Sequence, residues 1–208
     1  MKKNIKIGKN KKIAPGVIIG EIPSRKIKNL KLTLGNFSNL RSGSVLYLGS
    51  KIGQNLQTGH HVIIREENQI GNNFSIWSHS IIDYGCIIGN GVKVHCNCYV
   101  AQLTILEDDV FLAPGVTIAN DLHPGSPDYE FCMKGPTIKK GAQIGCNVTI
   151  LPHVTIGEHS LIGAGSVVTH DIPPYSIAYG NPARVRKKIK EMKCSVKDHF
   201  PYEFLFKK

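Results

Sequence analysis

The chain has 208 residues, 41% of them hydrophobic and 20% charged, and a formal net charge of +11. That length is enough to bury the core of one domain, and that composition excludes a disordered chain. Residues 1–31 carry +9 and residues 184–208 carry +6, whereas residues 32–183 carry −4, which argues against a nucleic-acid-binding body.

The lysines near the N-terminus have no continuous apolar run behind them, so the segment reads as structural and not as a signal peptide. Ile7, Ile13 and Ile19 fall six residues apart. Residues 20–51 fit that spacing poorly and read as irregular coils or as a loop that helps define a substrate pocket; Ile52-Gly53 looks like a further fragment of the pattern. From Ile70 the spacing is unbroken through Ile76, Ile82, Ile88, Val94, Val100, Leu106, Leu112 and Ile118. It resumes in a shifted frame at Ile138 and runs through Ile144, Ile150, Ile156, Ile162 and Val168. A period of six fits neither an amphipathic helix nor an alternating strand.

Other positions of the hexad agree. Three places after the aliphatic residue stand Asn73, Gly85, Gly91, Asn97, Asp109, Gly115, Gly141, Asn147 and Gly165, types that tolerate left-handed backbone at a turn. Four places after it stand small or β-branched residues such as Ser80, Cys86, Val92, Cys98 and Thr104. Each hexad therefore predicts a short strand and a turn with two inward side chains, and three hexads make one coil of a parallel β-helix. Cys86 and Cys98 fall on inward positions as small buried hydrophobes. The six cysteines make no CxxC pair, so the expected compartment is the reducing cytoplasm. No stretch approaches the ~20 apolar residues of a membrane span.

The frame breaks between Ile118 and Ile138, and residues 119–137 form a long polar loop opening with Asn120, Asp121 and His123. Loops on rigid scaffolds carry function, and a histidine suits proton abstraction near neutral pH. An exposed loop histidine without a role is the plainer alternative. His79, His153 and His159 occupy turn positions. His60-His61 read as turn residues or as groups reaching a neighbouring subunit, and His95, which stands where Gly or Ala is usual, is either a residue without a role or a candidate to line a flat face. No HxxxH pair or Cys/His cluster points to a metal.

The hexad track, above all Leu106 to Arg186 with GAQIGCNVTILPHVTIGEHSLIGAGSVVTHDIPPYSIAYGNPARV at 141–185, resembles the left-handed β-helix acyltransferases of the hexapeptide-repeat superfamily, closest to nucleotide-sugar N-acetyltransferases and sugar O-acetyltransferases. The resemblance implies an all-β fold: a left-handed parallel β-helix over 1–182, one extended loop, and a short C-terminal helix and tail over 183–208. It implies a homotrimer and acetyl-CoA as co-substrate, with no metal, and transfer to the amino group of a nucleotide-linked amino sugar by direct attack on the thioester. His123 and Asn120 become catalytic residues, with Asp121 and His95 on the acceptor. Cys146, Ala164, Thr169, His170, Arg184 and Lys187 become CoA contacts, Cys146 and His170 departing from the residues usual there.

Alternatives are sugar O-acetylation with His123 as general base, a metalloenzyme like the γ-class carbonic anhydrases, which share the fold, and a non-catalytic β-helix module. Arg184–Lys190 are expected as a helix, Val185 and Ile189 packing inward. The prolines of DIPPYSIAYGNP (171–182) are expected to end the coils. The alternating Phe200, Tyr202, Phe204 and Phe206 are expected to dock on the body or on a neighbour.

Overall fold

A computed structural model describes residues 4–197 and 199–206. Hexads become strands of mostly two residues, and the strands stack in parallel into three sheets of 8, 10 and 8 strands that form the faces of a prism. Face one begins at Ile5–Ile7, face two at Lys12–Ile13 and face three at Ile18–Glu21. Each strand pairs with the strand one coil on: Ile64 lies opposite Ile82, and Ile82 opposite Val100. The architecture is a left-handed parallel β-helix.

Every aliphatic position of the track from Leu34 to Val168 points inward. Leu40, Leu46, Ile76, Ile82, Leu106 and Leu112 are fully buried. The second inward column holds Ser80, Cys86, Val92, Cys98, Thr104 and Val110, also buried. Burial pushes the thiol pKa of Cys86 up to about 12 and that of Cys98 up to about 11, so both are unreactive packing groups. His79, His153 and His159 adopt the left-handed backbone expected at their turns.

The coils are tied along the edges as well as through the strands. Asn72 Oδ1 accepts from the Gln54 amide at 3.0 Å, Asn90 Oδ1 from the Asn72 amide at 2.9 Å and Asp108 Oδ1 from the Asn90 amide at 2.6 Å. These turn side chains satisfy backbone donors that the short strands leave free.

Three expectations need correction. Residues 20–51 are not irregular throughout: from Leu32 they form regular coils, with strands at Leu32–Leu34, Asn39–Leu40, Val45–Tyr47 and Lys51–Ile52. The sixfold track in fact runs Leu34, Leu40, Leu46, Ile52, Thr58, Ile64 into Ile70. Its polar member is buried Thr58, whose hydroxyl accepts from the Arg41 amide. Within 20–51 the excursion is confined to residues 22–31, between face three and face one. The segment 171–182 does not end the stack: Ile172 still bridges to Ile156, and Ser176–Gly180 pairs with Leu161–Ile162 on face two.

Among the described residues the expected C-terminal helix does not form. Ala183–Lys188 is a strand pairing antiparallel with Ser176–Gly180, followed by one 3₁₀ turn at Ile189–Glu191. The hairpin's backbone hydrogen bonds win over the i, i+4 pattern; Ile189 is buried, but Val185 is 42% exposed. The aromatic tail docks on face two, Phe206 against Tyr175 and Tyr202 Oη 3.5 Å from Gln143.

Cutting Leu112 to Ala opens a cavity at a fully buried position and should cost about 2–5 kcal/mol in urea unfolding. Phe131→Ala, at a side chain 90% exposed on the loop, should stay within about 0.5 kcal/mol of the parent.

Candidate functional site

The extended loop leaves face three after Thr117–Ile118 and rejoins face one at Thr137–Ile138, where Ile138 lies opposite Leu106. Its base is closed by the Lys134 amide donating to Asn120 O at 2.8 Å. His153 on the coil above holds it too, with Nε2 2.7 Å from Cys132 O. Asp121 Oδ1 accepts from the His123 amide at 2.8 Å, fixing the turn that carries the histidine outward. His123 is exposed, and its imidazole has no hydrogen-bond partner among the described residues. Asn120 Nδ2 is buried and has no hydrogen-bond partner among the described residues. A buried unpaired donor costs about 1–3 kcal/mol, so the loop base holds an amide in want of an acceptor.

Below the loop on the same edge lies a charged cluster absent from the sequence reading. Arg65 pairs with Glu66 at 3.0 Å and with Asp83 at 2.8 Å, and Asp83 accepts from Tyr99 Oη at 2.8 Å. Burial and that hydrogen bond push the Tyr99 phenol up. Arg25, from the 22–31 excursion, pairs with Glu66 at 2.6 Å and with Glu67, and its guanidinium sits 3.9 Å above the Tyr84 ring. Tyr84 Oη in turn points at Met133 Sδ, 3.9 Å away on the extended loop. The two excursions from the prism therefore meet on one tyrosine. The legible signal is the coil length: Arg65 and Asp83 are 18 residues apart, hence vertical neighbours.

The expected CoA residues divide between two edges and the terminal strand. Cys146 and Ala164 are exposed on the edge between faces two and three. At this level the edge carries only small residues, Gly145, Cys146, Gly163 and Ala164, and a Cβ on Gly145 would come within 2.6 Å of the Ala164 amide nitrogen. Thr169 and His170, joined at 2.8 Å through Oγ1 and Nδ1, lie on the edge between faces three and one. Arg184 and Lys187 are exposed on the terminal strand, Arg184 Nη1 donating to Ala183 O at 3.1 Å. His95 lies on the edge between faces two and three, its ring parallel to the Trp77 indole at 4.9 Å and tilted to Phe111 at 5.1 Å. Asn120, Asp121 and His123 thus form one group, while His95, Cys146 and Ala164 form another; face three separates them within one chain. No group of three His, Cys, Asp or Glu poised to hold a metal occurs among the described residues. No helix of the described residues is long and apolar enough to cross a membrane.

Residues 135–170 match the family described as bacterial transferase hexapeptide (six repeats). The chain carries a bacterial transferase hexapeptide segment. The likeness to hexapeptide-repeat acyltransferases drawn from 141–185 therefore holds. A galactoside O-acetyltransferase of Lactococcus lactis is 37% identical over 122 residues, 53% of this chain and 56% of that protein. A dTDP-3-amino-3,6-dideoxy-α-D-galactopyranose 3-N-acetyltransferase of Aneurinibacillus thermoaerophilus is 59% identical over 49 residues, 24% of this chain and 26% of that one. The chain thus spans little more than half the length of the first of these relatives and about a quarter of the second. A solved UDP-N-acetylglucosamine acyltransferase from Bacteroides fragilis superposes with a TM-score of 0.73 at 22% identity, over 89% of this chain and 71% of that one, a likeness of fold.

The Arg65–Glu66–Asp83 cluster is a buried network, with the Glu66 side chain fully inaccessible. Arg65→Ala strips Asp83 of its charge partner and should cost about 3 kcal/mol in chemical denaturation. Lys139→Ala removes a half-exposed pair with Glu107 and should cost under about 1 kcal/mol.

Proposed function

We propose that the protein transfers an acetyl group from acetyl-CoA to the amino group of a nucleotide-linked amino sugar, as a homotrimer. The observation that carries this reading is the unpaired Asn120 amide at the foot of the loop that presents an unpartnered His123. The 49-residue stretch shared at 59% identity with a relative named as a sugar-nucleotide N-acetyltransferase supports the amine acceptor.

Acetyl-CoA supplies an activated carbonyl and a thiolate leaving group. The sugar amine, once neutral, attacks the thioester carbon; the C–N bond forms, the C–S bond breaks, and the sulfur takes the electron pair. His123 accepts the amine proton, and Asn120 Oδ1 holds the remaining N–H while Nδ2 donates to an oxygen of the bound acceptor. Asp121 orients the turn that presents His123. The small-residue edge at Gly145, Cys146 and Ala164 fits a cofactor arm bound through main-chain groups, and exposed Arg184 and Lys187 suit its phosphates. Because face three separates that edge from the loop, a complete site needs the loop of one copy against the edge of the next. This is the physical case for an oligomer, and a three-fold arrangement closes such a head-to-tail contact.

The relatives named as galactoside O-acetyltransferases favour a second reading, O-acetylation with His123 as obligatory base. A hydroxyl is not nucleophilic without that base, whereas an amine is. Thiol release from acetyl-CoA should therefore be followed with dTDP- and UDP-linked amino sugars and with free galactosides. With an amine acceptor, His123→Asn and Asn120→Ala should each lower kcat/KM by about 10²-fold; activity with galactosides alone, abolished in His123→Asn, establishes the second reading instead. Arg184→Ala should raise KM for acetyl-CoA about tenfold with kcat nearly unchanged.

A further inference from the structure

The edge between faces two and three carries a vertical column formed by the residue two places after the outward strand position on each coil. The pairing of Asn39 with Gln57, Gln57 with Ser75 and Ser75 with Lys93 fixes its order: Arg41, Gly59, Trp77, His95. Coils are about 4.8 Å apart, and this spacing lets rings on successive coils stack. Trp77 and His95 do so, with centroids 4.9 Å apart and planes 3° from parallel. Below Trp77 the column is interrupted. A Cβ on Gly59 would come within 2.3 Å of the Ser78 amide nitrogen, so close backbone contact requires glycine there, and the level beneath the indole has no side chain.

The result is a slot one coil high between the lower face of Trp77 and Arg41. Trp77 is 38% exposed, and exposed Arg41 has no acidic partner among the described residues. The slot belongs to a groove of about 530 Å³ lined by Asn39, Arg41, Gln57, Gly59, His60 and Trp77. Two walls carry hydrogen-bonding groups: Asn39 and Gln57 on one side, where Gln57 Nε2 already donates to Asn55 Oδ1 at 2.7 Å and leaves Oε1 to accept, and the His60 ring on the other, held by Ser42 Oγ 2.9 Å from Nδ1.

We infer that this slot binds the nucleobase of the acceptor, sandwiched between the Trp77 indole and the Arg41 guanidinium in the place that Gly59 leaves open. A planar ring seated at the Gly59 level repeats the Trp77–His95 stack one coil lower, and a guanidinium beneath it adds a cation–π contact. The inference deepens the proposed function and rests on its nucleotide-linked acceptor. Ala113, on the coil that feeds the catalytic loop, lies two coils above Trp77, about 10 Å, with His95 at the level between. A base at Gly59 therefore directs the diphosphate past His95 and the sugar toward the level of Asn120 and His123 of a neighbouring copy. CoA has a base of its own, but its expected contacts at Cys146 and Ala164 lie on the far side of Ala113 from the slot, which favours the acceptor as the source.

The protein contains a single tryptophan, so its fluorescence reports on this slot directly and without turnover. Titration of the full chain with UDP, with dTDP and separately with CoA should give saturable quenching by a nucleoside diphosphate and none by CoA. Arg41→Gln should weaken nucleoside diphosphate binding about tenfold, and Trp77→Phe, read by calorimetry, should weaken it less. In thiol-release assays Arg41→Gln should raise KM for the nucleotide-linked acceptor and leave KM for acetyl-CoA unchanged. Quenching by CoA, with Arg41→Gln raising its dissociation constant, overturns the assignment to the acceptor. No quenching by any of the three overturns the slot, even where a free amino sugar still releases thiol. Quenching by a nucleoside diphosphate with no thiol release from any acceptor keeps the slot and overturns the acyl-transfer reading.

Discussion

Register between coils is the constraint on which this molecule depends. A strand of two residues has no stability of its own; it exists because its backbone groups pair with the coil above and the coil below. Each coil of 18 residues must therefore set its hydrogen-bonding groups over the previous one, and an insertion is tolerated only if the chain returns to the same column. Both large excursions obey this. Residues 22–31 return so that Leu34 lies opposite Ile7, and residues 119–136 return so that Ile138 lies opposite Leu106. Both also leave from the edge between faces three and one, which brings Arg25 over the Tyr84 ring and Met133 to its hydroxyl.

The same constraint separates what the sequence shows from what it conceals. The period of six is visible because the inward aliphatic positions admit few substitutes, so the prism and the breakout at residue 119 are legible without coordinates. Thr58 hides the earlier part of the track: its hydroxyl is satisfied inside by the Arg41 amide, and a polar residue then occupies an aliphatic position. The terminal strand is hidden for the opposite reason. Arg184 to Lys190 carry no inward-facing regularity, and a basic stretch with two apolar residues four apart imitates a helix face, whereas the free edge of face two decides its conformation.

The candidate site follows the same division. Asn120 and His123 are legible as the opening of a polar loop in an otherwise repetitive chain. Their surroundings are not, because the partners of a β-helix residue lie one coil away rather than nearby in the chain. Arg65 with Asp83 and Trp77 with His95 become evident only when the sequence is written in columns of 18. The edges then appear as continuous stripes: one of carboxylates and arginines beneath the loop, one of aromatic rings giving way to small residues. Face three stands between these stripes, so the loop and the small-residue edge of one chain do not face each other, which is why the proposed site draws on two copies.

The terminal hairpin has a consequence for the isolated particle. A parallel β-helix ends in exposed strand edges, and an unprotected edge is a template on which another copy can add, coil upon coil, into a fibre. Ala183–Lys188 closes face two with a strand of reversed direction, which offers the wrong hydrogen-bonding pattern for a further parallel coil. Arg184, Arg186, Lys187 and Lys188 line that strand, all exposed, so like charges would meet if two such ends approached. Part of the chain's positive charge thus keeps a structure built from endless repetition finite.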